Sequence, residues 1–318
     1  MAFSLDDGKL LWDISIPFTA PTGTALPSDI TSDTGFAAST PAADKNGVYA
    51  IFATADVVAL SPDGTIRWQK NLGVPDISYG YASSLLVYQN ILYVQFDNYD
   101  KSALYAFRTE DGSQLWKDDR HVKASWASPT IIIPPESQPQ LVLTAPDYFC
   151  AYNPRTGRLL WSVEGVSGEV APSPAYADTK LFIAQEYSKL ICFQWQPKGD
   201  PTVLWEYKDD LPDIASPVAS AKIVWLATSG GILVALDTDT GKLLYEHDYP
   251  KGINASPLLL HDTLVVLTLD GTLHFLDATT DSGLERGKLS TSERIHATPF
   301  FTSDSIILRG DKMLMRVK

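Results

Sequence analysis

The sequence predicts an all-β chain, a seven-bladed β-propeller with four-stranded antiparallel blades, and three observations carry that prediction. An eleven-residue motif returns along the chain: AFSLDDGKLLW at Ala2 to Trp12, AFRTEDGSQLW at Ala106 to Trp116, AYNPRTGRLLW at Ala151 to Trp161 and ALDTDTGKLLY at Ala235 to Tyr245. Its closing aromatic falls at Trp12, Trp68, Trp116, Trp161, Trp205 and Tyr245, every 40 to 56 residues, which is the period of a propeller blade. A second marker keeps the same register: Thr40-Pro41, Ser83-Ser84, Ser128-Pro129, Ser173-Pro174, Ser216-Pro217, Ser256-Pro257 and Thr298-Pro299.

Each marker opens a blade. Proline just inside a first strand suits an innermost edge, where a missing N–H breaks no ladder bond. A polar turn such as Asp44 to Gly47 follows, and then an apolar second strand such as VYAIFA, LYVQFD, LFIAQE or LVVLTL. The third strand runs into the aspartate-rich turn of the motif, where glycine supplies the positive φ and the fourth strand closes on the aromatic. Asp237 and Asn153 are expected to bond nearby turn N–H groups. The seventh unit, Thr298 to Lys318, stops after three strands, and Ser4 to Trp12 supplies a fourth. The N-terminal strand is therefore expected on the C-terminal blade, a closure that removes two exposed sheet edges. Ala2 to Ser4 duplicates the third strand of that blade, so eight blades in the untruncated protein is the alternative.

The pattern persists over residues 1–318 without a compositional break, so one domain is expected. With 21 prolines and 20 glycines the composition fits short strands and turns, and no run approaches the ~18 apolar residues of a membrane span. A formal charge of −13 repels a phosphate backbone, so nucleic acid is excluded as a partner class. Cys150 and Cys192 occupy comparable strand positions and read as small core hydrophobes rather than a disulfide. Met1 is followed at once by the motif, with no basic stretch and no apolar signal core. A chain that starts inside a repeat is expected to continue upstream, with a signal segment and more of a blade.

The motif Ala-x-Asp-x-x-Thr-Gly-x-x-x-Trp resembles the tryptophan-docking motif of quinoprotein-like β-propellers, and the resemblance covers essentially the whole chain. It implies that Trp12, Trp68, Trp116, Trp161, Trp205 and Tyr245 dock between adjacent blades, each burying on the order of 200 Å2. That family includes pyrroloquinoline quinone (PQQ) alcohol dehydrogenases, the B subunit of the outer-membrane β-barrel assembly machine (BamB), and exported bacterial proteins of unassigned role. SGEVAPSPAY (167 to 176) and VKASWASP (122 to 129) look most like the last group.

The dehydrogenase branch implies a quinone held against a vicinal disulfide, with calcium on a carboxylate and an amide. Here the cysteines stand far apart, and no haem-attachment sequence, H-E-x-x-H, G-x-S-x-G elbow or Walker loop occurs. No catalytic residue, metal or cofactor is expected, neither PQQ nor calcium.

A binding surface is the better candidate. The connection Asp13 to Ala38 is unusually long, and a long connection without secondary structure of its own is usually either functional or disordered. Two residues before each blade marker stand Ala38, Tyr81, Trp126, Ala171, Ile214, Asn254 and His296, with Glu169, Asp213 and Arg294 nearby. Tyr81, Trp126, Glu169, Asp213, Asn254, Arg294 and His296 are therefore the expected ligand or partner contacts at a channel mouth. The leading expectation is a periplasmic or otherwise exported, non-enzymatic BamB-like scaffold that binds protein and does not insert in a membrane. The alternatives are a PQQ-binding dehydrogenase-like protein and a small-ligand or carbohydrate sensor stacking its ligand on Trp126 and Tyr81.

Overall fold

The computed structural model describes all residues except Ser28, Asp29 and Asp33. Among the described residues every regular element is a strand. Six four-stranded antiparallel sheets and one three-stranded sheet follow the seven markers, and the protein is a seven-bladed β-propeller. Its contacts gather into two compact units.

The first unit comprises Met1–Ile131, Gln140–Ala145 and Ala151–Leu160. It opens on a hairpin of Ala2–Phe3 and Leu10–Trp12, and its first sheet is built from Ala42–Asp44, Gly47–Ile51, Asp56–Leu60 and Ile66–Asn71. The second sheet takes Leu86–Tyr88, Ile91–Phe96, Ala103–Arg108 and Gln114–Asp119. Strands of the third sheet, Thr130–Ile132, Gln140–Ala145, Tyr148–Tyr152 and Leu159–Glu164, contribute residues to both units. The second unit, Ile132–Pro139, Pro146–Cys150 and Trp161–Lys318, holds the four remaining sheets, from Ala175–Ala177 to Leu314–Val317.

Apolar character sorts by strand position. Second and third strands such as Asp56–Leu60 and Ile223–Ala227 are buried along their whole length, whereas fourth strands such as Gln114–Asp119 alternate with solvent. A β-bulge recurs where the third strand enters the motif turn, between Ala59 and Leu60, Cys192 and Phe193, Ala235 and Leu236, and Phe275 and Leu276. The turn beyond it is closed by a side-chain oxygen. Asp237 Oδ1 accepts the N–H groups of Asp239 and Thr240 at 3.1 and 2.7 Å, and Asn153 Oδ1 accepts those of Arg155 and Thr156 at 3.0 Å.

The motif aromatics reach the next turn along. Trp12, Trp68, Trp116 and Trp205 donate Nε1–H to the carbonyls of Pro62, Thr109, Pro154 and Thr238 at 2.9–3.1 Å. The turn glycines Gly64, Gly112, Gly157 and Gly241 lie so close beneath these indoles that a Cβ would sit 2.6–2.8 Å from the ring, and Gly283 stands likewise under Tyr245. The Trp161 ring packs edge-on to Phe149 at 5.1 Å.

The blade markers have a job that their spacing alone does not reveal. In the first unit the Thr40 N–H donates to the Ser84 hydroxyl, and the Ser84 N–H to the Ser128 hydroxyl, at 3.0 and 2.8 Å. In the second, Ser173, Ser216 and Ser256 donate in turn to Ser216, Ser256 and Thr298 at 2.9–3.1 Å. Each hydroxyl thus satisfies a backbone N–H one blade away.

One expectation about the termini is corrected. Leu10–Trp12 pairs with Ala2–Phe3, and the last sheet is Phe300–Phe301, Ile306–Arg309 and Leu314–Val317, so closure by the N-terminal strand on the C-terminal blade is not among the described pairings. A short turn, with Ser4 N–H on the Lys9 carbonyl and Gly8 N–H on the Ser4 carbonyl, brings Ala2–Phe3 back onto one edge of Leu10–Trp12.

Candidate functional site

At one end of the strands the connections between sheets meet the turns between second and third strands, of the sheet they enter or of the one they leave. In the first unit the Ala53 N–H donates to the Phe36 carbonyl, and in the second Glu186 N–H donates to Pro212 carbonyl and Leu269 N–H to Gly252 carbonyl. The long connection Asp13 to Ala38 belongs to this end and is pinned at several points. Thr19 donates its N–H and hydroxyl to Asp56 Oδ1 at 3.1 and 2.6 Å, and Gln69 Nε2–H donates to the Pro17 carbonyl at 2.6 Å. Farther along, Ile30 forms a parallel bridge with Tyr79, and Thr31 N–H donates to the Tyr79 carbonyl. The connection is therefore a surface element rather than a free tether, and it leaves Phe18, Leu26 and Phe36 exposed.

Of the predicted contacts in the first unit, Trp126 is half-buried and Tyr81 is fully buried. Tyr81 is only 1% exposed, its hydroxyl donates to the Gln95 carbonyl at 2.8 Å and its ring packs 5.6 Å from Phe96. A platform of Trp126 and Tyr81 is thus not formed. Trp126 pairs instead with Tyr79, centroids 5.8 Å apart, while its Nε1–H donates to the Gly80 carbonyl at 3.0 Å. The chain reverses through Tyr79 and Gly80, both at positive φ, which turns the 79 ring outward and the 81 ring into the core. Tyr79 is 47% exposed and holds φ 65°, a strained conformation for a bulky residue that costs about 1 kcal/mol or more. Sequence spacing missed it, although Tyr-Gly-Tyr is the visible signal.

In the second unit Asn254 Nδ2 and His296 Nδ1 meet at 2.9 Å, so these two predicted residues are brought together. Glu169, Arg294 and His296 are exposed, and Asp213 is half-buried with its Oδ1 shielded and without a hydrogen bond. Burial and then the neighbouring Asp213 push the Glu186 carboxyl above its ordinary range.

Cys150 and Cys192 are separate, buried cysteines not joined in a disulfide, and among the described residues no group of three or more His, Cys, Asp or Glu side chains is arranged to hold a metal ion. A buried charge pair braces the second sheet: Arg120 forks onto both oxygens of Asp97 at 2.8 and 3.2 Å and reaches Tyr152. Among the described residues no helix is long and apolar enough to cross a membrane.

A family model described as outer membrane protein assembly factor BamB matches residues 1–209 and 195–316. No curated protein sequence matches the chain. Solved structures with the same fold include BamB from Moraxella catarrhalis, at 16% identity over 87% of this chain and 83% of that one, with a TM-score of 0.67. Sqt1 from Saccharomyces cerevisiae is similar at 14% identity over 91% and 82% of the two chains, TM-score 0.65. The Dos1 propeller is similar at 13% over 82% and 72%, TM-score 0.64. With the repeat motif, the seven sheets and a family model spanning nearly every residue in agreement, this chain belongs to the BamB family of PQQ-like β-propellers.

Proposed function

We propose that this protein is an exported, periplasmic, non-enzymatic scaffold that binds protein partners through the connection-rich end of its sheets and needs no cofactor. The observation that carries the reading is the pinned connection Asp13 to Ala38 beside Tyr79 and Trp126. It presents Phe18, Leu26, Phe36 and Tyr79 to solvent on a held backbone. Aromatic groups on a pre-organised surface are what protein interfaces are built from, because little ordering entropy remains to be lost on binding. Membership of a family described as an assembly factor supports the same reading, and separate buried thiols speak against the quinone alternative.

The test is site-specific photo-crosslinking in the native cell, with a benzophenone side chain placed at Phe36, at Tyr79 and, at the opposite end of the strands, at Glu110. The expected result is a discrete adduct of one partner from positions 36 and 79 and none from 110. Equal labelling from all three, or from none, would refute the surface assignment. Fractionation of the same cells checks export, and melting the purified protein with PQQ and calcium checks the cofactor. An upward shift with retained chromophore would restore the enzyme class.

A further inference from the structure

Two carboxylates are buried among the described residues, Asp97 and Asp56. Asp97 is neutralised by the Arg120 fork; Asp56 has no such partner. At 1% exposure its Oδ1 accepts from Thr19 N–H, Thr19 Oγ1–H and Gln69 Nε2–H at 3.1, 2.6 and 3.1 Å, and its Oδ2 accepts from Thr54 Oγ1–H at 2.7 Å. All of these donors are neutral. Burial opposes the charge, and the hydrogen bonds from Thr19, Thr54, Asn71 and Gln69 more than offset it, so the carboxyl titrates below its usual range and is ionised at neutral pH.

Beside this carboxylate lies a cavity of about 140 Å3 lined by Ile16, Phe18, Phe36, Phe52, Thr54 and Asp56. The space is a cleft partly open to solvent, with Phe18 and Phe36 on its exposed side, and a volume near 150 Å3 holds a group the size of benzene, so it suits a compact organic group. The walls set its chemistry. Three phenyl rings offer nothing to a hydrated inorganic cation, and one carboxylate falls far short of the six or more oxygens that calcium takes. A neutral apolar guest would fill the space but bring no counter-charge to a carboxylate that has only neutral donors around it. A cation whose charge is spread over methyl or methylene groups satisfies both, because the ring faces attract it and it gives up its hydration shell cheaply.

We infer that the cavity formed by Ile16, Phe18, Phe36 and Phe52 over Asp56 is a binding site for a small alkylated ammonium ion. The site is made from two parts of the chain. Ile16, Phe18 and Phe36 come from the long connection, Phe52 and Thr54 from the turn between the second and third strands of the first sheet, and Asp56 from the start of that third strand. An ammonium group seated there ties the connection to that sheet, through the carboxylate that already accepts from Thr19.

The experiment is calorimetric titration of the purified chain with choline chloride and, in parallel, with 3,3-dimethylbutan-1-ol, which has the same shape and no charge. Choline is expected to bind at least tenfold more tightly than the alcohol. Asp56→Asn is expected to weaken choline at least tenfold while leaving the alcohol within twofold. Phe36 is 49% exposed, so Phe36→Ala keeps the fold and is expected to weaken choline several-fold even should Asp56→Asn fail to fold. Equal binding of choline and the alcohol would overturn the inference in favour of a plain apolar pocket. Absence of choline binding, or choline binding unchanged in Phe36→Ala, would overturn it outright.

Discussion

Replacing Gly112 by alanine isolates the contact that joins one blade to the next. Gly112 sits at φ 70°, and a Cβ there would lie 2.6, 2.9 and 3.0 Å from Cδ2, Cε3 and Cγ of Trp68. The indole cannot slide away, because its Nε1–H is committed to the Thr109 carbonyl at 3.1 Å and the Tyr49 and Phe107 rings stand 6.1 and 6.5 Å from it. Gly199 provides the control: it occupies a comparable turn at φ 83°, and a Cβ there would meet nothing within 4 Å. Both substitutions incur the left-handed backbone cost of roughly 1–2 kcal/mol, and only Gly112→Ala adds overpacking of about 1–3 kcal/mol. At about 2–4 °C per kcal/mol in a domain of this order of size, scanning calorimetry should show Gly199→Ala melting a few degrees low and Gly112→Ala about twice as far down. Introduced into a Trp68→Leu background, Gly112→Ala should cost no more than Gly199→Ala does in the parent, a recovery of the difference, since the clash has then lost its partner. Equal losses for the two alanine variants, or no recovery in the double variant, would refute the view that indole contact rather than backbone geometry holds glycine at this turn.

Three further outcomes are expected. Arg120→Met strands Asp97 in the interior without its guanidinium, and denaturant unfolding should register a loss of about 3–5 kcal/mol. Asp277 is held down to about 2 by the Thr279 hydroxyl and then Arg286. A carboxyl depressed on folding stabilises above its unfolded pKa of 3.8 and loses that contribution as pH falls toward 2, so Asp277→Asn should flatten the acid limb of a melting-temperature profile between about pH 4 and 2. Cys150 and Cys192 are buried, and burial pushes the Cys192 thiol up to about 12. Ellman's reagent at pH 8 should therefore find no thiol in the folded protein and both after unfolding.

Much of the architecture is legible in the sequence because its causes are local. A turn that needs an Asp or Asn oxygen and a glycine shows those residues at fixed offsets, as at Asp237 to Gly241, and a strand buried on both faces shows an apolar run, as at Ile223–Ala227. Seven such units could be counted and their aromatics placed without coordinates. The candidate interface was legible only as a length, the connection Asp13 to Ala38, since its pinning by Asp56, Ala53 and Tyr79 depends on residues far along the chain.

The sequence by itself determined the all-β class, the blade count, the turn chemistry and the distance between the cysteines, all properties of pattern and spacing. Tertiary structure alone decided which of Tyr79 and Tyr81 faces solvent, because a reversal at positive φ, not a periodicity, sets that choice. It gave the marker hydroxyls their purpose, bonding a backbone N–H one blade away, and it paired Leu10–Trp12 with its own neighbour Ala2–Phe3. It also separated two aspartates that look alike on paper: Asp97 lies beside Arg120, whereas Asp56 is ringed by neutral donors at the edge of a phenylalanine-lined cavity. Charge compensation in an interior is a matter of what stands within a few ångströms in space, and spacing along a chain does not encode it.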